Sequence, residues 1–239
     1  EIPLRLVGSE MCIRDSKLSD DKKDLINYAC NQILLGNYND QFPLSIWQTG
    51  SGTQTNMNAN EVIANLANKK AGEKVIHPND YVNMSQSSND VFPTAMHVAS
   101  FLNLRDNLFP EIEGIIESLY KKENEFDLIK TGRTHLQDAT PIRLSQEISA
   151  WRVMIERDYE ILKTTSQSLR KLAIGGTAVG TGLNASETFG ANVAKELSAL
   201  LDTEFISDTN KFYQLSSKTA LVASLSLIHI SEPTRRRGI

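Results

Sequence analysis

Apolar residues recurring three and four apart over residues 144–162 constrain this chain most. Leu144, Ile148, Trp151, Ile155, Tyr159 and Leu162 fall on one face of a helix with 3.6 residues per turn. The spacing continues through Leu169 and Leu172, which predicts one helix of about 45 Å. A rod that long cannot bury its stripe against itself, so it needs other rods and implies a bundle. Trp151 reads as a core anchor. The same spacing recurs in Leu25, Ile26, Ala29, Ile33 and Leu34 after the acidic start Ser19-Asp20-Asp21, with Gly36 as the stop. It returns in Ala95, Val98, Ala99 and Leu102, in Ile112, Ile115, Ile116 and Leu119, and in Val193, Leu197, Leu200 and Leu201. Leu215, Leu221, Val222 and Leu225 begin one more helix. No alternating strand run of useful length is readable, so the expected class is mainly α. Cys30 sits within an apolar set and reads as a core thiol. His97 reads as a packed or surface histidine.

Composition removes several function classes. The net charge of −4 carries no basic field for nucleic acid. No run of about 18 apolar residues offers a membrane span. Two cysteines, Cys12 and Cys30, make no disulfide framework, which suits a reducing compartment: the cytoplasm, with the mitochondrial matrix as the alternative. Residues 1–16 and 226–239 keep no sustained period and are similar to translated sequencing-adapter read-through. They are expected to be foreign ends, with no chemistry at Cys12 or His229. A genuine disordered tail at each end is the alternative.

Polar residues collect in five bends between the helical patterns. The first is WQTGSGTQTNMNAN at 47–60, in which Gly50 and Gly52 free the backbone and Ser51 and Thr53 supply hydroxyls before a helix. The second is HPND, His77 to Asp80. SQSSNDVFP at 85–93 leads into a helix expected to begin near Pro93, with Ser87, Ser88 and Asn89 as donors. GRTHLQDATP at 132–141 packs Arg133, Thr134, His135, Gln137 and Asp138 into a connector that needs only its Gly and Pro. GGTAVGTGLN at 175–184 adds Thr177, Thr181 and Asn184. Neutral donors at helix mouths suit a small anion. A loop histidine suits proton transfer, because imidazole titrates near neutrality. Capped connectors between helices would use fewer of these groups and remain the plain alternative. His77 and His135 have no Cys or His nearby at metal-ligand spacing, and the GxG follows no strand, so neither a metal site nor a dinucleotide site is expected.

These five stretches, in this order and at this spacing, resemble the class II fumarate hydratases of the fumarase/aspartase superfamily. The resemblance covers roughly residues 17–224. It implies an incomplete long-helix bundle, with a partial N-terminal lyase domain at 17–86 and a partial central helical domain at 87–225. It implies reversible hydration of fumarate to (S)-malate in the tricarboxylic acid cycle by a homotetramer, without metal or organic cofactor. On this resemblance Ser51, Gly52, Thr53, Ser87, Ser88, Asn89 and Thr134 bind substrate. His135 is the histidine on the water side, and His77, Pro78, Asn79 and Asp80 match a second dicarboxylate site. Aspartase-like members typically carry glutamine where His135 stands, which favours the fumarase. The family's mobile loop with its catalytic serine, resembling GSSIMPGKVNP, has no counterpart here. The 239-residue chain is therefore expected to be an inactive fragment of an active parent. Another superfamily lyase, or a helical scaffold without catalysis, are the rival readings.

Overall fold

The structure, a computed structural model, describes residues 18–45, 47 and 50–231, with side chains to residue 226. The expected foreign ends at 1–16, with Cys12, and at 232–239 lie outside the described residues, as does the side chain of His229. In chain order the helices are α1 (Asp20–Leu34), α2 (Thr53–Ala71), α3 (Ser88–Asn103), α4 (Phe109–Glu125), α5 (Leu144–Ser166), α6 (Phe189–Leu201), α7 (Lys211–Ser216) and α8 (Thr219–Ser231). The strands are β1 (Ile129–Thr134), β2 (Gln137–Arg143), β3 (Lys171–Leu172) and β4 (Ile206–Ser207). The mainly α class holds. No helix among the described residues is long and apolar enough to cross a membrane.

The chain forms two compact units, one of residues 18–98 with 170–218, the other of 99–169 with 219–231. In the first, α1 packs on α2, and their facing residues Ile26, Ala29, Cys30, Ile63 and Ala67 are buried. Cys30 is a core thiol, as its spacing required. Val91, Leu172, Ile174, Phe189, Val193 and Leu197 complete this core. The short strands β3 and β4 pair in parallel. His97 is packed, with Nδ1 3.0 Å from the Lys171 carbonyl.

In the second unit α4 packs on α5, and α5 on α8. The Tyr159 hydroxyl of α5 donates to Glu113 Oε1 of α4, and its ring meets Phe109 edge-on at 5.4 Å. Burial, then the Glu113 bond and charge, push the Tyr159 phenol up to about 12. An elevated phenol pKa stabilises the fold fully below the ordinary value of 10.0, and that contribution disappears as pH climbs through about 12. Tyr159→Phe is expected to cost about 1 kcal/mol at neutral pH. It should also flatten the alkaline fall in stability, as read from urea unfolding over a pH series; an unchanged alkaline limb would refute the assignment.

The helix from Leu144 ends at Ser166, about 35 Å on. Residues 167–170 tighten into a 3₁₀ turn, and Leu172 enters a strand. Leu169 and Leu172 are buried as their spacing suggests, but in other elements. Trp151 is no core anchor, being 49% exposed. The helix at the end of the chain does not break at 226 but continues to Ser231. GRTHLQDATP is no loop between helices. It lies within an antiparallel hairpin in which Arg133 pairs with Asp138 and Thr134 with Gln137. His135 and Leu136 form the two-residue turn at φ 50 and 63, the twist such hairpins favour. A register shift between Thr131 and Arg133 breaks the side-chain alternation.

Candidate active site

Two polar bends of the first unit meet where α2 and α3 begin. Thr53 is the first residue of α2 and Ser88 the first of α3. Their hydroxyl oxygens are 3.3 Å apart, and Thr53 Oγ1 also donates to Ser51 Oγ at 3.4 Å. Each helix start carries N–H groups with no partner inside the helix, and the positive end of its dipole. α2 carries no acid in its first turn. Gly52 enters that helix at φ 72, and a Cβ there would lie 2.1 Å from the Phe92 ring, so only glycine admits this close approach.

α3 carries one acid in its first turn, Asp90, and this carboxylate is spent inside the protein. It is fully buried. Its Oδ1 accepts from the Ser87 N–H at 2.9 Å, and Ser87 Oγ accepts from the Asn89 N–H at 3.2 Å. This is a Ser-x-x-Asp variant of the capping box. Asp90 Oδ2 accepts from the N–H groups of Gly175 and Thr177 at 3.1 and 2.8 Å. One carboxylate therefore fastens SQSSND to GGTAVG. Asn89 Nδ2 donates to the Ala178 carbonyl at 2.7 Å and adds a second tie. The capping box starts α3 at Ser88, which corrects the expected start near Pro93. Pro93 sits inside the helix. The Thr94 hydroxyl donates to the Asp90 carbonyl at 2.7 Å one turn back.

Two clefts open beside this junction. One, of about 540 Å³, is lined by Gly50, Ser51, Asn89, Ala178 and Lys218 among others. The other, of about 360 Å³, is lined by Thr53, Ser87, Ser88, Asn79, Thr177 and Asn184 among others. Of the expected substrate residues, Ser51, Gly52, Thr53, Ser87, Ser88 and Asn89 are thus gathered in one unit. Thr134 and His135 belong to the other unit, at the hairpin turn, where both are exposed. His135 lies at φ 50, a region few non-glycine residues adopt and in which histidine, like Asn and Asp, is enriched.

Pro78–Val82 form one wide helical turn, capped by His77. His77 Nδ1 accepts from the Asp80 N–H at 3.4 Å and lies 3.2 Å from the Asp80 carboxylate. The preceding segment is braced by Asn68 of α2. Its Oδ1 accepts from the N–H groups of Val75 and Ile76, and its Nδ2 donates to the Ile76 carbonyl, all within 2.9 Å. Among the described residues no three His, Cys, Asp or Glu side chains group as metal ligands. Sequence reasoning missed Asp90, Asn68 and Lys218 as parts of this region. Only the Ser87–Asp90 spacing carried a local signal.

Several class II fumarate hydratases are similar to this chain. That of Wigglesworthia glossinidia brevipalpis is 49% identical over 98% of this chain and 53% of its own length. That of Listeria monocytogenes is 52% identical over 91% of this chain and 48% of its own length. A class II fumarase structure from Schistosoma mansoni aligns with a TM-score of 0.91 at 35% identity, covering 96% of this chain and 53% of that one. The chain spans about half the length of the curated relatives it matches. The family model described as Lyase matches residues 7–231. That match takes in every bend described above and leaves out only residues 1–6 and 232–239, and the chain belongs to the lyase family.

Proposed function

We propose that the full-length protein carrying these residues hydrates fumarate reversibly to (S)-malate. The observation that carries this reading is the meeting of two helix starts through Thr53 and Ser88, with the acid in the first turn of α3, Asp90, buried and engaged. Such a junction favours an anion through helix-start N–H groups and neutral hydroxyls. Ser51, Thr53, Ser87, Ser88 and Asn89 hold substrate carboxylate there, and Gly52 lets the backbone come close. In the assembled protein, Thr134 and His135 of a neighbouring copy of the chain complete the site, and that His135 accepts the proton of the attacking water. The water oxygen bonds to one alkene carbon, and the electron pair moves toward the far carboxylate. That aci-carboxylate is the charge the preorganised donors stabilise, before a proton arrives on the opposite face. His77, Pro78, Asn79 and Asp80 form a second dicarboxylate site in this reading, with Asn79 opening on the cleft lined by Thr53 and Ser88.

Assembly as a homotetramer is part of this proposal. Trp151, Met154 and Ile161 share a face of α5 and are about half exposed or more, an apolar stripe suited to a second copy. Trp151→Glu with Met154→Glu in the full-length protein is expected to weaken self-association about tenfold or more by sedimentation; unchanged assembly would refute it. The bacterial relatives support a cytoplasmic setting. Purified full-length protein should consume fumarate and form (S)-malate, while aspartate and argininosuccinate persist. The 239-residue chain alone should turn over none of the three. Ammonia release from aspartate would replace this reading with an aspartase.

A further inference from the structure

The cleft of about 540 Å³ contains a charged residue that the reading above leaves without a role. Lys218 lines it together with Gly50, Ser51, Asn89, Ala178 and Ser216. Its Nζ donates to the Leu215 carbonyl at 3.3 Å, at the end of α7. An ammonium has three donors, so this bond leaves two. No ion pair joins Lys218 to any described residue, in contrast to Lys130 with Glu147 or Arg152 with Glu123. Burial lowers the pKa of the Lys218 amine, and no neighbouring charge offsets it. A lysine placed only to close α7 would gain little from partial burial, because a six-residue helix has a small dipole. An anion in the cleft would instead repay the desolvation and find the polar side chains of Ser51 and Asn89 on the same lining.

We propose that Lys218 is the cation of this cleft and binds one carboxylate of a small diacid, with Ser51 and Asn89 as its neutral partners. The choice of a diacid rests on the proposed hydratase function; the choice of an anion rests on the cleft alone. Lys218 is then a binding residue that raises affinity and selects dianions, rather than a group that moves a proton.

Calorimetric titration of the chain with succinate, an unreactive four-carbon diacid, and with sulfate tests this. Lys218→Met is expected to weaken succinate binding about tenfold or more, and Lys218→Arg to keep it within about threefold. In the unaltered chain with ¹³C-labelled lysine, the Lys218 Cε resonance should move as succinate saturates. That second measurement holds even where Lys218→Met fails to fold. Equal succinate affinity in a folded Lys218→Met variant, or a Cε resonance that stays still, overturns the proposal and leaves the hydratase reading standing. Sulfate binding that depends on Lys218, with no succinate binding, would keep the cation site and remove the diacid. Binding of neither anion overturns the proposal, and the hydration assay then judges the hydratase reading by itself.

Discussion

Replacing Asp90 by alanine is expected to destabilise the chain by about 3–5 kcal/mol, a large share of a typical domain's stability. The side chain is fully buried and accepts from three backbone N–H groups, those of Ser87, Gly175 and Thr177. Alanine leaves all three donors without an acceptor, and each buried unpaired donor costs about 1–3 kcal/mol. Water can enter the cavity and recover part of this, so the sum is not reached. Asp90→Asn keeps one acceptor oxygen but turns an amide N–H toward a backbone N–H, and should fall between the two. The loss should be local as well as global. Amide exchange should speed up at residues 85–90 and 175–178 together, because one carboxylate joins them. Urea unfolding that places Asp90→Ala within about 0.5 kcal/mol of the unaltered chain would show that the carboxylate does not brace the site.

His135→Asn in the full-length protein is expected to lower fumarate hydration by about 10²- to 10⁴-fold, the usual contribution of a general acid or base. Asparagine is the informative replacement. His135 sits at φ 50 in the hairpin turn, and asparagine tolerates that region better than almost any residue except glycine. The turn and its register therefore persist, and a loss of rate cannot be assigned to a collapsed hairpin. The side chain is exposed, so thermal stability should stay unchanged within error. Hydration by the asparagine variant within about threefold of the unaltered protein would remove His135 from the mechanism and favour the scaffold reading.

Sequence spacing revealed elements that are stabilised locally or by one buried stripe. Cys30 among Ile26, Ala29 and Ile33 marked the inner face of α1, and all four are buried. The capping spacing of Ser87 and Asp90 was present in the letters, although Pro93 drew the expected helix start downstream. The hairpin was hidden for two physical reasons. Its turn residues, His135 and Leu136, adopt positive φ without the Asn-Gly or Asp-Gly pair that ordinarily marks such a turn. Its alternation is broken by the shift beside Gly132, where a Cβ would come 2.7 Å from the Thr140 carbonyl. Leu169 and Leu172 prolonged an apparent helix because burial in a tight turn and a strand happened to continue the same spacing. Trp151 showed how an apolar stripe can face outward. Periodicity reports which residues share a face, not what covers it. The approach of Thr53 to Ser88 and the span from Asp90 to Thr177 are tertiary facts, and no local pattern encodes them.

The central claim is that the starts of α2 and α3 together hold a four-carbon diacid. Titrating the isotopically labelled chain with fumarate and following its backbone amides tests that claim most directly. Saturable shifts are expected at Ser51, Thr53, Ser88 and Asn89, with Asn31 and Lys195, which line neither cleft, unmoved. Shifts that leave those four amides still while others move, or no saturable shift anywhere, would contradict it.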